Sequence, residues 1–169
     1  SMRYLTQQIT FQEIPDEISL SFLITGCPLR CKACHSTDSW NAQNGEILDK
    51  NYMIHFISKY RAAIPCGLFM GGEWHHDELC QLLSICRQQG LKTALYTGLD
   101  DVSLQLKKEL TFLKTGSWKQ NLGNLASAHT NQKLINLTTG EILNYHFTAQ
   151  GGQHGKIDGR SNQQEDKLY

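Results

Sequence analysis

Three cysteines within eight residues, Cys27, Cys31 and Cys34, constrain this chain more than any other feature. They are spaced C-x3-C-x2-C and follow directly on an apolar run from Ile18 to Ile24. In that run Ile18, Leu20, Phe22 and Ile24 alternate with Ser19 and Ser21, the period of a half-buried strand. A thiolate trio on a short loop at a strand end is a metal-site arrangement, because a loop can wrap three sulfurs around one centre. The number of ligands matters most. A structural zinc site is closed by four protein ligands, and an ordinary 4Fe–4S cluster takes four cysteines. Three thiolates on a cubane leave one iron open, where a small molecule can bind and react.

Other readings of the same cysteines carry different requirements. Cys31-Lys32-Ala33-Cys34-His35 is also C-x-x-C-H, the haem-attachment pattern. That use needs export, the N-terminus shows no basic-then-apolar signal, and Cys27 would be idle. A Cys3His zinc site from Cys27, Cys31, Cys34 and His35 is chemically allowed, although adjacent Cys34 and His35 have difficulty reaching one ion. Three cysteines on a turn that also holds Pro28 and Arg30 make poor core residues. Cys66, Cys80 and Cys86 are too widely spaced for a second cluster and read as small hydrophobes in or near the core.

A chain of 169 residues suits one domain with a real core. Sixteen basic and sixteen acidic residues give zero formal charge, which offers nothing to a nucleic acid. No apolar run reaches the roughly 18 residues that span a membrane. Six cysteines without an export signal point to a reducing, cytoplasmic setting with free thiols.

Residues 7–13 and 17–24 read as strands around a turn at Pro15-Asp16, and the cysteine loop runs to about Gly45. A helix is expected over Asp49 to Arg61, capped by Asp49, with Met53, Phe56, Ile57 and Tyr60 on one face. Cys66 to Met70 is a strand. His76 to about Gln89 is a helix buried along Leu79, Leu82, Leu83 and Cys86, stopped by Gly90. Thr93 to Tyr96 and Leu110 to Lys114 are further strands, flanking a short helix capped by Asp100 or Asp101. Strand–helix repetition argues for parallel βαβ units. Gly116 to Thr130 reads as a long surface loop, and Lys133–Leu137 with Glu141–Phe147 as a hairpin around Thr138-Thr139-Gly140. From Gln150 the chain is nearly all polar or glycine, so residues 150–169 are expected to be a flexible tail to a domain over 1–149. The cysteines, Gly71-Gly72-Glu73 and Thr97-Gly98 all fall just past strand C-termini, where parallel α/β architectures collect function. His75-His76 reads as a capping or exposed pair, since neighbours on a helix diverge by about 100°.

The cysteine loop resembles that of the radical S-adenosylmethionine (SAM) enzymes, and it is most similar to that of the activating enzymes of anaerobic ribonucleotide reductases. The resemblance is carried by Cys27, Cys31, Cys34 and His35, with Trp40 closing the loop. It continues in family order through Phe69-Met70-Gly71-Gly72-Glu73, Leu95-Tyr96-Thr97-Gly98, Leu113-Lys114-Thr115-Gly116 and Thr130-Asn131-Gln132, covering roughly residues 7 to 137. The triple cysteine with Gly-Gly-Glu at this separation is the specific part.

What the resemblance implies is an α/β fold, an incomplete (β/α) barrel with a mostly parallel sheet. It implies a 4Fe–4S cluster on Cys27, Cys31 and Cys34, and SAM at its open iron. Ala33, Cys34 and His35 would pack the adenine; Gly71, Gly72 and Glu73 would accept hydrogen bonds from the SAM ammonium; Thr97 would line the same site. The glycines suit this because bare backbone can approach a ligand closely. The implied activity is that of an oxidoreductase: reductive cleavage of SAM to a 5′-deoxyadenosyl radical, which makes a glycyl radical on a partner. That partner would be the large subunit of an anaerobic (class III) ribonucleoside-triphosphate reductase, with an electron donor such as flavodoxin or ferredoxin. An activase for a formate-lyase type of enzyme, and a non-catalytic iron–sulfur or zinc module, are the alternatives. Two departures stand out. Ala33 replaces an aromatic residue found in many relatives, and Trp74 replaces a proline.

Overall fold

The computed structural model describes residues 1–29, 37–60 and 63–148. Among these, seven strands form one sheet in the order β3-β1-β2-β4-β5-β6-β7. They are β1 (Arg3–Thr10), β2 (Ser19–Ile24), β3 (Glu46–Ile47), β4 (Cys66–Met70), β5 (Lys92–Tyr96), β6 (Phe112–Thr115) and β7 (Lys133–Asn136). Helices α1 (Lys50–Tyr60), α2 (His76–Gln88) and α3 (Leu104–Lys108) link the central strands, and a 3-10 turn covers Thr37–Trp40. β2, β4, β5 and β6 run parallel, while β1, β3 and β7 are antiparallel additions at the two sides. The tail expected over 150–169 lies outside the described residues.

Each parallel crossover steps to the next strand in the same direction. With crossovers of one hand, that places every linking helix on one face. The packing agrees: Met53 and Ile57 of α1, Leu79, Leu82, Leu83 and Cys86 of α2 and Leu106 of α3 join Leu20, Phe22, Phe69, Leu95 and Leu113 in one core cluster. The opposite face holds Leu23, Leu68, Met70, Ala94, Tyr96, Phe112 and Leu134, covered by Ile14, Leu125 and Leu143 from connecting segments. A mostly parallel sheet with helices on its outer face and loops on its inner face is the expected incomplete (β/α) barrel.

Helix starts follow their caps. Asp49 accepts the Tyr52 amide at 3.0 Å and opens α1 as expected. α3 is capped by Ser103, which accepts the Leu106 amide at 3.2 Å, not by Asp100 or Asp101. Asp101 instead pairs with Lys107 at 2.7 Å. Three strand expectations also change. β1 begins at Arg3, because Arg3 and Tyr4 pair with β3 as well as continuing toward β2. β2 is buried on both faces, not half-buried: Ser19 and Ser21 turn to the inner face, where Ser21 Oγ bonds Thr10 Oγ1 at 2.6 Å. The second arm of the C-terminal hairpin is reduced to one bridge, Ile135 to Ile142, before a helical turn over 144–148. Asn136 fixes that reversal, its side-chain oxygen accepting the amides of Thr138 and Thr139.

Candidate active site

The C-terminal edge of the four parallel strands gathers the sequence motifs. β2 leads through Thr25 and Gly26 into Cys27, which is partly exposed. Cys31 and Cys34, with Ala33 and His35, lie outside the described residues. Among the described residues no three His, Cys, Asp or Glu side chains gather where they could hold a metal ion. β4 ends in Gly71-Gly72-Glu73, and the Gly71 amide donates to the Tyr96 carbonyl at 2.8 Å, joining this corner to the end of β5.

Gly71 and Gly72 have φ of +85° and +110°, a region that side chains disfavour. A Cβ at Gly72 would sit 3.4 Å from Ile24 and from the Met2 sulfur, toward the core. The Gly72 carbonyl accepts the His75 amide at 2.9 Å, so one of its lone pairs already closes the turn into α2. Trp74 donates its indole N–H to the Thr25 carbonyl at 3.0 Å. It thereby ties the glycine corner to the entry of the cysteine loop. The far side of that entry touches the next loop: a Cβ on Gly98 would fall 2.6 Å from the Leu29 side-chain tip, which would have to move aside.

Thr97 donates its hydroxyl to Glu73 Oε1 at 2.6 Å. The other carboxylate oxygen, Oε2, is buried and has no partner among the described residues. Burial pushes the Glu73 carboxyl up from its ordinary value, against the opposing pull of the Thr97 hydrogen bond, its own backbone amide and the positive charge of Lys114. A buried carboxylate oxygen without a donor is costly and suits a site that receives a hydrogen-bond donor from a ligand. The cysteine thiol, the bare glycine backbone and this oxygen are donors and acceptors of the kind an iron–sulfur cluster and a zwitterionic amino-acid ligand require.

Lys114 was expected only as the end of a strand and part of a motif. It is buried within β6, its ammonium donating to the Gly116 carbonyl at 2.9 Å. The available signal is a lysine that directly follows Phe112-Leu113 within a strand-like run. His76 bonds Ser103 Oγ at 2.6 Å, linking α2 to α3. His75 lies beside Glu78, and burial pulls its imidazole below the ordinary value. Cys66 and Cys86 are fully buried, and desolvation pushes each thiol up to about 12, the behaviour of inert core residues. No helix among the described residues is long and apolar enough to cross a membrane.

Comparison with known proteins bears on the same region. The pyruvate formate-lyase-activating enzyme of Clostridium pasteurianum is 31% identical over 78 residues, which are 43% of this chain and 33% of that protein. The chain therefore spans about a third of that relative's length. The anaerobic ribonucleoside-triphosphate reductase-activating protein of Enterobacteria phage T4 is 26% identical over 129 residues, 69% of this chain and 83% of that protein. Residues 18–135, from the start of the cysteine-bearing strand unit into β7, match the 4Fe-4S single cluster domain. With well over half its length matched, the chain belongs to the 4Fe-4S single cluster domain family.

Proposed function

We propose that this chain is a radical SAM activase that generates a glycyl radical on an anaerobic ribonucleoside-triphosphate reductase. The observation that carries the reading is the meeting, at one sheet edge, of Cys27, the Gly71-Gly72-Glu73 corner and Thr97, with Glu73 bonded to Thr97 and its other oxygen without a partner among the described residues. In this reading Cys27, Cys31 and Cys34 hold the cluster. Gly71, Gly72 and Glu73 receive the ammonium group of SAM, Thr97 fixes the Glu73 carboxylate, and Ala33, Cys34 and His35 pack the adenine. When bound, the cluster supplies the electron that splits the sulfonium C–S bond of SAM into methionine and a 5′-deoxyadenosyl radical. The protein's own part is to hold SAM by its polar end and to keep competing donors away from Glu73. An external donor such as flavodoxin or ferredoxin would supply the electron.

The choice of reductase as partner is supported by the length of the match to the phage T4 protein, 83% of that chain. The higher identity over a shorter stretch to the formate-lyase activase favours a second reading, with an enzyme of that type as partner. The test is anaerobic reconstitution of the full chain, assay of 5′-deoxyadenosine, then mixing with each candidate partner and electron paramagnetic resonance. The reading expects 5′-deoxyadenosine and a glycyl radical signal on the reductase. A signal on the formate-lyase type alone changes the partner. A cluster-bearing protein that leaves SAM intact under reduction overturns the enzyme reading in favour of a non-catalytic module.

A further inference from the structure

Lys114 is 1% exposed and is the penultimate residue of β6, whose end faces the site. A buried ammonium is costly unless its protons are met, and an aliphatic residue would satisfy the strand equally well. Its protons are met from the site edge. Nζ donates to the Gly116 carbonyl at 2.9 Å, lies 3.5 Å from the Thr97 carbonyl and stands 5.5 Å from the centre of the Tyr96 ring. The Gly116 carbonyl also accepts from Gln132 at 3.3 Å. Thr97 is thus held at both ends by opposite charges: its carbonyl faces Lys114 and its hydroxyl donates to Glu73 at 2.6 Å. The turns are joined by backbone too, since Thr97 N donates to the Lys114 carbonyl at 2.9 Å and Gly116 N to the Leu99 carbonyl at 2.7 Å.

We propose that Lys114 is a positioning residue of the cofactor pocket: its ammonium clamps the turns after β5 and β6 and, through Thr97, fixes the Glu73 carboxylate for the ammonium group of SAM. The proposal rests on the reading of the site given above. The positive charge of Lys114 already acts on Glu73, opposing the effect of burial. Lys114 does not itself need to touch the ligand, because Thr97 transmits its placement.

The test uses the full reconstituted chain as parent, Lys114→Met, Lys114→Ala, Glu73→Gln and the double variant Glu73→Gln/Lys114→Met. SAM affinity is measured by anaerobic equilibrium dialysis, and thermal unfolding on the same samples. Lys114→Met is expected to weaken SAM binding roughly 10- to 100-fold, the scale of a lost hydrogen bond to a charged group. Propylammonium should restore part of the affinity to Lys114→Ala and leave the parent unchanged. In the Glu73→Gln background, Lys114→Met should cost little more. A folded Lys114→Met protein with parental affinity overturns the proposal. Should Lys114→Met fail to fold, the double variant decides, because removing both members of a buried charged unit is better tolerated than removing one. A double variant that also fails to fold would make Lys114 a support of the sheet alone and overturn the clamp. Absence of SAM binding in the parent would instead remove the site reading. The clamp is then judged by unfolding temperatures, which must be non-additive across the four proteins of the Glu73/Lys114 cycle; additive shifts overturn it.

Discussion

At Gly72 the backbone φ of +110° and the direction of the missing Cβ decide what a substitution does. A side chain there would grow toward Ile24 and Met2, at ordinary contact distance for the first carbon. Gly72→Ala is therefore expected to cost roughly 1–3 kcal/mol of backbone strain without a clash. Gly72→Val should cost more, because its branches crowd those two side chains. Urea unfolding of the two variants beside the parent checks this, and a Gly72→Val protein as stable as the parent would contradict the geometry. From sequence alone the glycines read as room for a ligand; the structure adds that their left-handed backbone makes the turn into α2, which any other residue would make only under strain. Lys114 and Trp74 mark the same boundary of legibility. Both were visible as residues in motifs, but that one is buried among carbonyls and the other bonds Thr25 depends on which strands are neighbours. Cys66 and Cys86, in contrast, were readable as core thiols because spacing alone removed them from the cysteine loop.

Among the elements, α3 tests how far local chemistry determines a helix start. Two aspartates precede it, yet Ser103 caps it and is also hydrogen-bonded to His76 of α2. A five-residue helix cannot stand by itself, so the serine serves both its start and its attachment. Ser103→Ala is expected to destabilise by about 1 kcal/mol for the cap, with a further loss through His76. Asp101→Ala should leave the unfolding midpoint close to the parent, since the carboxylate is exposed and its pair with Lys107 is screened. Equal effects in the two variants, read from urea midpoints, would return the cap to the aspartates. The strands and longer helices were legible because their apolar periods are long. β3, with two residues, carries no period at all, and the two-faced burial of β2 depends on Ile14 and its neighbours covering the inner side.

Across the whole molecule, order of elements was enough to anticipate a mostly parallel sheet, because strand–helix alternation admits few other solutions. The antiparallel edges were less legible, since pairing of β1 with β3 and of β7 with β6 joins segments that give no mutual signal in sequence. The sheet carries an apolar cluster on each face, one formed with the helices and the other with connecting segments, and Cys27 belongs to neither. That division predicts the effect of losing the metal. Small zinc domains unfold without their ion because ligation supplies most of their folding energy. A chain of 169 residues with two filled faces does not share that dependence. Removing iron by anaerobic chelation should therefore leave the far-ultraviolet circular dichroism and a cooperative thermal transition in place. The midpoint should fall only by the few kcal/mol that ligation of the metal contributes, at about 2–4 °C per kcal/mol for a chain of this size. If the proposed function holds, SAM binding should disappear in the same sample, because the iron that would anchor it is gone while Glu73 and Thr97 remain in place. Loss of the cooperative transition on chelation would show that the cysteine loop, and not the two-sided sheet, holds the fold together.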